Sequence, residues 1–207
     1  KSALASATTG LAAMSAAGML TEAKAQNDRF PSRALTMVVP FPPGGVADTV
    51  GRPIAEAMSR ALGQSVVVEN RARAGGANGM SHVARAKPDG YTLLMALVSI
   101  STIPVADEVL GRPPSFSLQQ LRPIARITAD PTVLAVAADA PYKNYASFER
   151  YAKDNPGKLN FGSSGNYGTM HVPMEMLKLA RELKMTHVPY KGAGPAVLGL
   201  LSGEINL

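Results

Sequence analysis

From Ala34 onward the chain alternates short apolar runs with amphipathic stretches, and nothing else in it restricts the fold as much. "LTMVVP" (35–40), "SVVVEN" (65–70) and "GYTLLMAL" (90–97) each centre on unbroken apolar residues, as strands buried on both faces do. Between them a helix is expected from Val46 to about Leu62, where Val46, Val50 and Ile54 recur every four residues. A second helix is expected to run through Ala86, behind the Gly-rich "RARAGGANG". Strand, helix and parallel strand in repetition make an α/β fold: a mainly parallel sheet covered by helices on both faces.

Residues 99–121 are rich in Pro and Ser and read as a short helix with a connecting loop. "RPIARIT" (122–128) and "PTVLAVAA" (131–138) are two neighbouring apolar runs at the crossing into a second βα series. That series reads as a helix over Tyr145 to Lys153, the strand "KLNFGS", a helix from about Thr169 to Leu183, the strand "THVPY" and a helix over Pro195 to Leu201. "GEINL" (203–207) reads as one more strand just starting, so the second series is expected to be incomplete. The organisation expected is an export signal over 1–25, a first lobe over 26–127 and an incomplete second lobe over 128–207.

Composition narrows the function classes. With 46% apolar and 17% charged residues among 207, a packed core is expected. The chain has no Cys, which excludes disulfides and thiolate metal sites. Net charge is +6, but Lys and Arg occur singly, as at Arg52, Arg60, Arg71, Arg85 and Arg126, and form no stripe for a nucleic-acid backbone. Trp is absent and aromatics make up 5%, which argues against a base-stacking platform. The small, mildly apolar "LASATTGLAAMSAAGML" ends near Ala23-Lys24-Ala25, a small-x-small pattern that predicts cleavage after Ala25 and export. The leader is short and has no initiator Met, so this end reads as clipped.

Four loops follow strands: Pro40 to Ala47, Arg71 to Gly79, Ser99 to Pro104 and Gly162 to Thr169. In open α/β sheets ligands sit at the carboxyl ends of the strands, where helix N-termini favour negative charge. In "FPPGGVAD" two prolines stiffen a turn that Gly44 and Gly45 leave bare, turning the amides of Gly45, Val46 and Ala47 outward. Asp48 there either caps the helix or accepts a hydrogen bond from a ligand. "FGSSGNYGT" offers neutral donors from Ser163, Ser164, Asn166 and Thr169, with exposed amides at Gly162, Gly165 and Gly168. Such a set suits a carboxylate held without a formal cation.

Enzymatic motifs are missing. Gly75-Gly76-Ala77-Asn78-Gly79 lacks dinucleotide-loop spacing, and Asn166 stands where a G-x-S-x-G elbow needs its last glycine. His82, His171 and His187 show no metal spacing, and no cofactor is expected. His82 and His187 are read as structural, and His171 as a structural residue able to brace its loop or touch a ligand. Met174 and Met176 are read as core.

The block "FPSRALTMVVPFPPGGVADTVGRPIAEAMSRALGQSVVVENRARAGGANGMSHVARAKPDGYTLLMA", with "YAKDNPGKLNFGSSGNYGT" and "THVPYKGAGPAVLGLLSGEINL", closely resembles the Bug-type substrate-binding proteins of tripartite tricarboxylate transporters. The resemblance covers nearly all of Phe30 to Leu207. It implies a fold like the type II periplasmic binding proteins, with two lobes joined by crossing strands and closing on one small solute. It implies a di- or tricarboxylate, amino acid or aromatic acid as ligand, an inner-membrane permease as partner, and no reaction. It further implies ligand contacts from Phe41, Gly44, Gly45, Val46, Ala47 and Asp48, from Ser163, Ser164, Gly165, Asn166 and Thr169, and from the turn at Ser99. Members continue beyond the position of Leu207, and "LVSISTIPVADEVLGRPPSFS" departs from the commoner turn followed by Asn-Pro. Two other readings stay open: an enzyme acting on a carboxylate through Asp48 or His171, and a truncated, incompletely folding fragment.

Overall fold

A computed structural model describes residues 30–129 and 131–207. The expected export signal and its cleavage after Ala25 lie outside the described residues.

β1 (Leu35–Val39) is the centre of a three-stranded parallel sheet, with β2 (Val66–Asn70) on one side and β3 (Thr92–Leu94) on the other. Met37 pairs with Val68 and with Leu93, so both neighbours run in register with it. Leu35, Met37, Val38 and Val39 are all buried, as their unbroken apolar run requires. α1 (Val46–Leu62) lies on this sheet through Ala47, Gly51 and Ala55, small residues four apart that let its backbone come close. Val46, first of the expected apolar stripe, is exposed instead. α1 ends where Gly63 takes a left-handed conformation (φ 65°). α2 (Ala77–Ala84) follows a single 3-10 turn over Ala74–Gly76, and α3 (Ser99–Val109) is the short helix expected within 99–121.

The second series is built in the same way. α4 (Tyr145–Asp154) starts at a reciprocal cap, in which Ser147 N donates to Asn144 Oδ1 (2.9 Å) and Asn144 N to Ser147 Oγ (3.2 Å). β4 (Leu159–Ser163) and β5 (Met185–Pro189) pair in parallel, with α5 (His171–Arg181) between them and α6 (Ala193–Leu201) after them. The last residues run along the other edge of β4. Gly162 N donates to Leu207 O (2.9 Å), and Asn160 N donates to Asn206 Oδ1 (2.9 Å). Phe148, Leu159, Phe161, Met185 and Leu207 form one core under this sheet. Met174 packs against it, whereas Met176, expected in the core, points to solvent.

The crossing differs from expectation. Neither 122–128 nor 131–138 forms a strand among the described residues, and Ile124 and Val133 are 83% and 84% exposed. An apolar run becomes a strand only where a sheet edge offers it backbone partners, and here both runs lie off the two sheets. Among the described residues no helix is long and apolar enough to cross a membrane.

Close packing of α2 on β1 gives a sign test. A Cβ on helical Gly79 would lie 2.7 Å from Pro40 Cβ and 3.0 Å from the Arg71 carbonyl, whereas one on Gly194 in α6 meets nothing within 4 Å. Alanine normally stabilises a helix by about 0.5–1 kcal/mol over glycine. Gly79→Ala is therefore expected to destabilise by about 1–3 kcal/mol through overpacking. Gly194→Ala is expected to be neutral or mildly stabilising. Urea unfolding of both variants checks the opposite signs.

Candidate functional site

The loop after β1 is organised from below by one carboxylate. Asp48, the third residue of α1, is 4% exposed. It accepts from Gly44 N (2.9 Å), Arg52 Nε (3.0 Å) and Asn70 Nδ2 (2.8 Å), and Arg52 also reaches its other oxygen at 2.9 Å. Asn70, at the end of β2, additionally donates to the Phe41 carbonyl (3.0 Å) and accepts from Arg52 (2.9 Å). The Arg52 hydrogen bonds hold the Asp48 carboxyl down at about 2 against the opposing effect of burial, with Gly44 and Asn70 adding to the lowering. Asp48 thus spends its lone pairs on the chain, tying loop, strand and helix together.

This leaves the outer side of the loop to backbone amides. The amide of Gly44 (φ 80°) is taken by Asp48, while those of Gly45, Val46 and Ala47 have no partner among the described residues. Gly45 is the helix N-cap with an extended backbone (φ −80°, ψ 171°) and makes no side-chain cap. Phe41 is buried with its ring against Gly76. Three free amides at the head of a 17-residue helix are a favourable place for an anion.

The loop after β4 divides its residues between support and display. Ser163 is fully buried; its Oγ accepts from Gly165 N (3.2 Å), lies 3.1 Å from Gly165 O and 2.7 Å from His187 Nε2. Its neighbours Ser164, Asn166 and Thr169 make no side-chain hydrogen bond among the described residues. Tyr167 holds a left-handed backbone (φ 62°), uncommon for a residue with a side chain, and its N–H donates to His171 Nδ1 (3.0 Å). His171 stacks on His187 with ring centroids 4.0 Å apart, and Phe161 backs His187 at 4.9 Å. Burial lowers the pKa of both imidazoles; for His187, with the neighbouring His171 adding to it, the value falls to about 4.

The two sets of loops meet at glycines. A Cβ on Gly75 would lie 2.5 Å from the Asn166 carbonyl, and one on Gly192 2.7 Å from Pro42 Cγ. Gly165 approaches Gly75 from the same side, and Thr102 Oγ1 of α3 donates to the Tyr167 carbonyl (2.6 Å). Pro42, Gly75 and Thr102 of the first series therefore meet Gly165, Asn166, Tyr167 and Gly192 of the second along one seam. Ser99, the first residue of α3, is fully buried, and its Oγ has no partner among the described residues. A depression of about 340 Å3 lined by Arg73, Ala74, Ala77, Asn78, Ser81 and Ser115 opens beside α2, and none of the residues expected to hold a ligand lines it.

Sequence reasoning missed Asn70 and Arg52 as the partners of Asp48, Thr102 as the tie to Tyr167, and His187 as the partner of Ser163. The acid-to-base spacing of Asp48 and Arg52, one helical turn, was the available signal for the first pair. The others join residues far apart in sequence.

Two parallel βα series meeting through glycine loops, with unpartnered amides on one and unpartnered hydroxyls on the other, make an α/β fold of the periplasmic-binding-protein type. Residues 50–207 match the Tripartite tricarboxylate transporter family receptor, and the chain belongs to that family. Receptors of this family are periplasmic binding proteins. The chain is 40% identical over 189 residues to a UPF0065 protein of Bordetella pertussis, covering 91% of this chain and 58% of that one. It superimposes on a structure described as a periplasmic transporter with a TM-score of 0.75 at 40% identity, covering 86% of this chain and 59% of the other. MatC of Rhodopseudomonas palustris, solved with bound malate, gives a TM-score of 0.73 at 31% identity, covering 86% and 60%. The chain thus spans between 51% and 59% of the length of the curated relatives it matches.

Because the folded pKa of Asp48 lies below its usual 3.8, its contribution to stability is complete above that value and disappears as pH falls toward 2. Asp48→Asn is expected to cost about 2–3 kcal/mol, the range for hydrogen bonds to a charged group. It should also flatten the acid limb of the stability curve between those pH values. Chemical denaturation of both forms across the acid range checks this.

Proposed function

We propose that this chain captures a small organic dicarboxylate, of the size and charge of malate, between the loop at Phe41 to Asp48 and the loop at Ser163 to Thr169. One carboxylate takes the amides of Gly45, Val46 and Ala47 at the head of α1. The hydroxyls of Ser164 and Thr169 and the amide of Asn166 supply neutral donors from the second lobe. Ser99 adds a hydroxyl that otherwise lacks a partner in the interior. Phe41, Gly44, Asp48, Ser163 and Gly165 position these groups. The observation that carries this reading is the seam itself, where unpartnered donors of both lobes border the contacts at Gly75 and Gly192.

The solute is then passed, chemically unchanged, to a membrane permease of the tripartite type, with the chain exported to the periplasm behind the signal in 1–25. Family membership supports this, as does the poor supply of catalytic groups. Asp48, held at about 2 by its partners, is too weak a base near neutral pH, and His171 Nδ1 already accepts from Tyr167.

The test is calorimetric titration of the full chain with malate, succinate, adipate, citrate, glutamate and benzoate, with the solute recovered afterwards. Saturable, stoichiometric binding of a dicarboxylate without turnover is expected. A folded protein that binds none of them, or converts one, overturns the proposal. Val46→Pro sharpens it, because proline suits the first helical position and Gly45 already has the extended backbone that a following proline demands. The variant removes one amide while leaving the helix intact, and about a tenfold or greater loss of affinity is expected for one hydrogen bond to a charge.

A further inference from the structure

The two half-buried imidazoles behind the Ser163 to Thr169 loop lie on an unbroken path to the first lobe. Ser163 Oγ lies 2.7 Å from His187 Nε2, and the His187 ring stacks on His171 at 4.0 Å. His171 Nδ1 accepts from Tyr167 N (3.0 Å), and the Tyr167 carbonyl accepts from Thr102 Oγ1 (2.6 Å). Thr102 belongs to α3, so the last link crosses the seam.

The third link settles a protonation state. A backbone N–H only donates, so His171 Nδ1 must carry a lone pair, and the ring is neutral with its proton on Nε2. Glu175 stands 3.7 Å from that Nε2 and favours a cation there. Lys178, paired with Glu175 at 2.8 Å and 5.4 Å from the Phe161 ring, opposes it. Arg112, on the first lobe, lies 5.8 Å from the Tyr167 ring, with its charge paired to Asp107 at 2.9 Å. Phe161 and Tyr167 are the remaining rings against the pair, and neither offers a counter-charge. Two cations stacked at this separation also repel each other. The site is built to keep both imidazoles neutral, and the lone pair of one of them holds the Tyr167 backbone in its uncommon conformation.

We infer that the His171–His187 pair is a proton-operated release for the seam between the lobes: a proton on His171 Nδ1 replaces the acceptor of Tyr167 N–H with a donor. The Tyr167 peptide then leaves its left-handed conformation, Thr102 loses its acceptor, and the tie between the lobes is broken. Acid opens the seam, and neutral pH closes it. Burial lowers the pKa of both rings, so the tie is intact at and above their ordinary value near 6.5 and is lost only as pH falls through the lowered value of His171. The consequence for solute release rests on the proposed binding site, but the opening itself does not.

Ligand-free protein therefore provides the test. The protection factor of the Tyr167 amide, corrected for the intrinsic pH dependence of exchange, is measured between pH 7.5 and 4.5. At least a tenfold fall is expected, with the core amide of Val38 unchanged. His171→Asn places a carbonyl oxygen near the position of Nδ1 and accepts at every pH, so the fall should disappear in that variant. An equal fall in both proteins, or none in the parent, overturns the inference. Should His171→Asn fold poorly, titration of the parent by NMR decides. The ring nitrogens of His171 and the amide of Tyr167 must move with one apparent midpoint, and separate midpoints overturn the coupling. Retained dicarboxylate binding with no change in protection would leave the proposed function standing and remove this inference alone.

Discussion

The parallel pairing of β1 with β2, in which Val39 lies opposite Asn70, is the constraint from which the first half of the site follows. Both strands end at the same edge in that register, so the Asn70 amide lands beneath the turn that follows β1. From there it reaches the Phe41 carbonyl and Asp48 together. Arg71 N continues the pairing to Val39 O (2.8 Å), which keeps the next loop close at hand. A slip of one residue would turn Asn70 to the other face of the sheet and leave Asp48 and Arg52 as an isolated pair. The stiff prolines and bare glycines of the loop then matter only because something underneath holds them.

The second lobe solves the same problem with different chemistry. Among the described residues no carboxylate accepts a hydrogen bond from the backbone of its loop. Ser163, His187 and His171 take that place, using hydrogen bonds and ring stacking in a half-buried setting where unpaired charge is disfavoured. The first lobe is thus secured by an ion pair that persists over most of the pH range, and the second by groups that titrate within it. The difference in chemistry becomes a difference in responsiveness.

How much of this could be read beforehand depended on the range of the interactions. The strands, the helices after them and the parallel α/β class were legible because each rests on local periodicity, and the family was legible from blocks such as "VVEN" and "THVPY". The positions of the two loops followed from the same reading. The division of labour within them did not. Asp48 is used up by Asn70, 22 residues away, and Ser163 by His187, 24 residues away, and neither pairing leaves a mark on local pattern. "RPIARIT" and "PTVLAVAA" were apolar runs at the crossing, where the family resemblance implied strands. Strand formation also needs a free edge, and composition carries no information about that. Met176 erred for a similar reason: it falls on the wrong side of α5, and a methionine does not announce its side.

The glycine contacts at the seam have a mechanical consequence. Where Gly75 meets the Asn166 carbonyl and Gly192 meets Pro42, the clearance left is smaller than a methyl group. Such a joint has no slack to absorb a side chain by rotating it, since the opposing atoms belong to backbone or to a proline ring. Any residue other than glycine would act there as a wedge, holding the two βα series apart at those points. How closely the two series sit is set in the places where the chain carries no side chain at all.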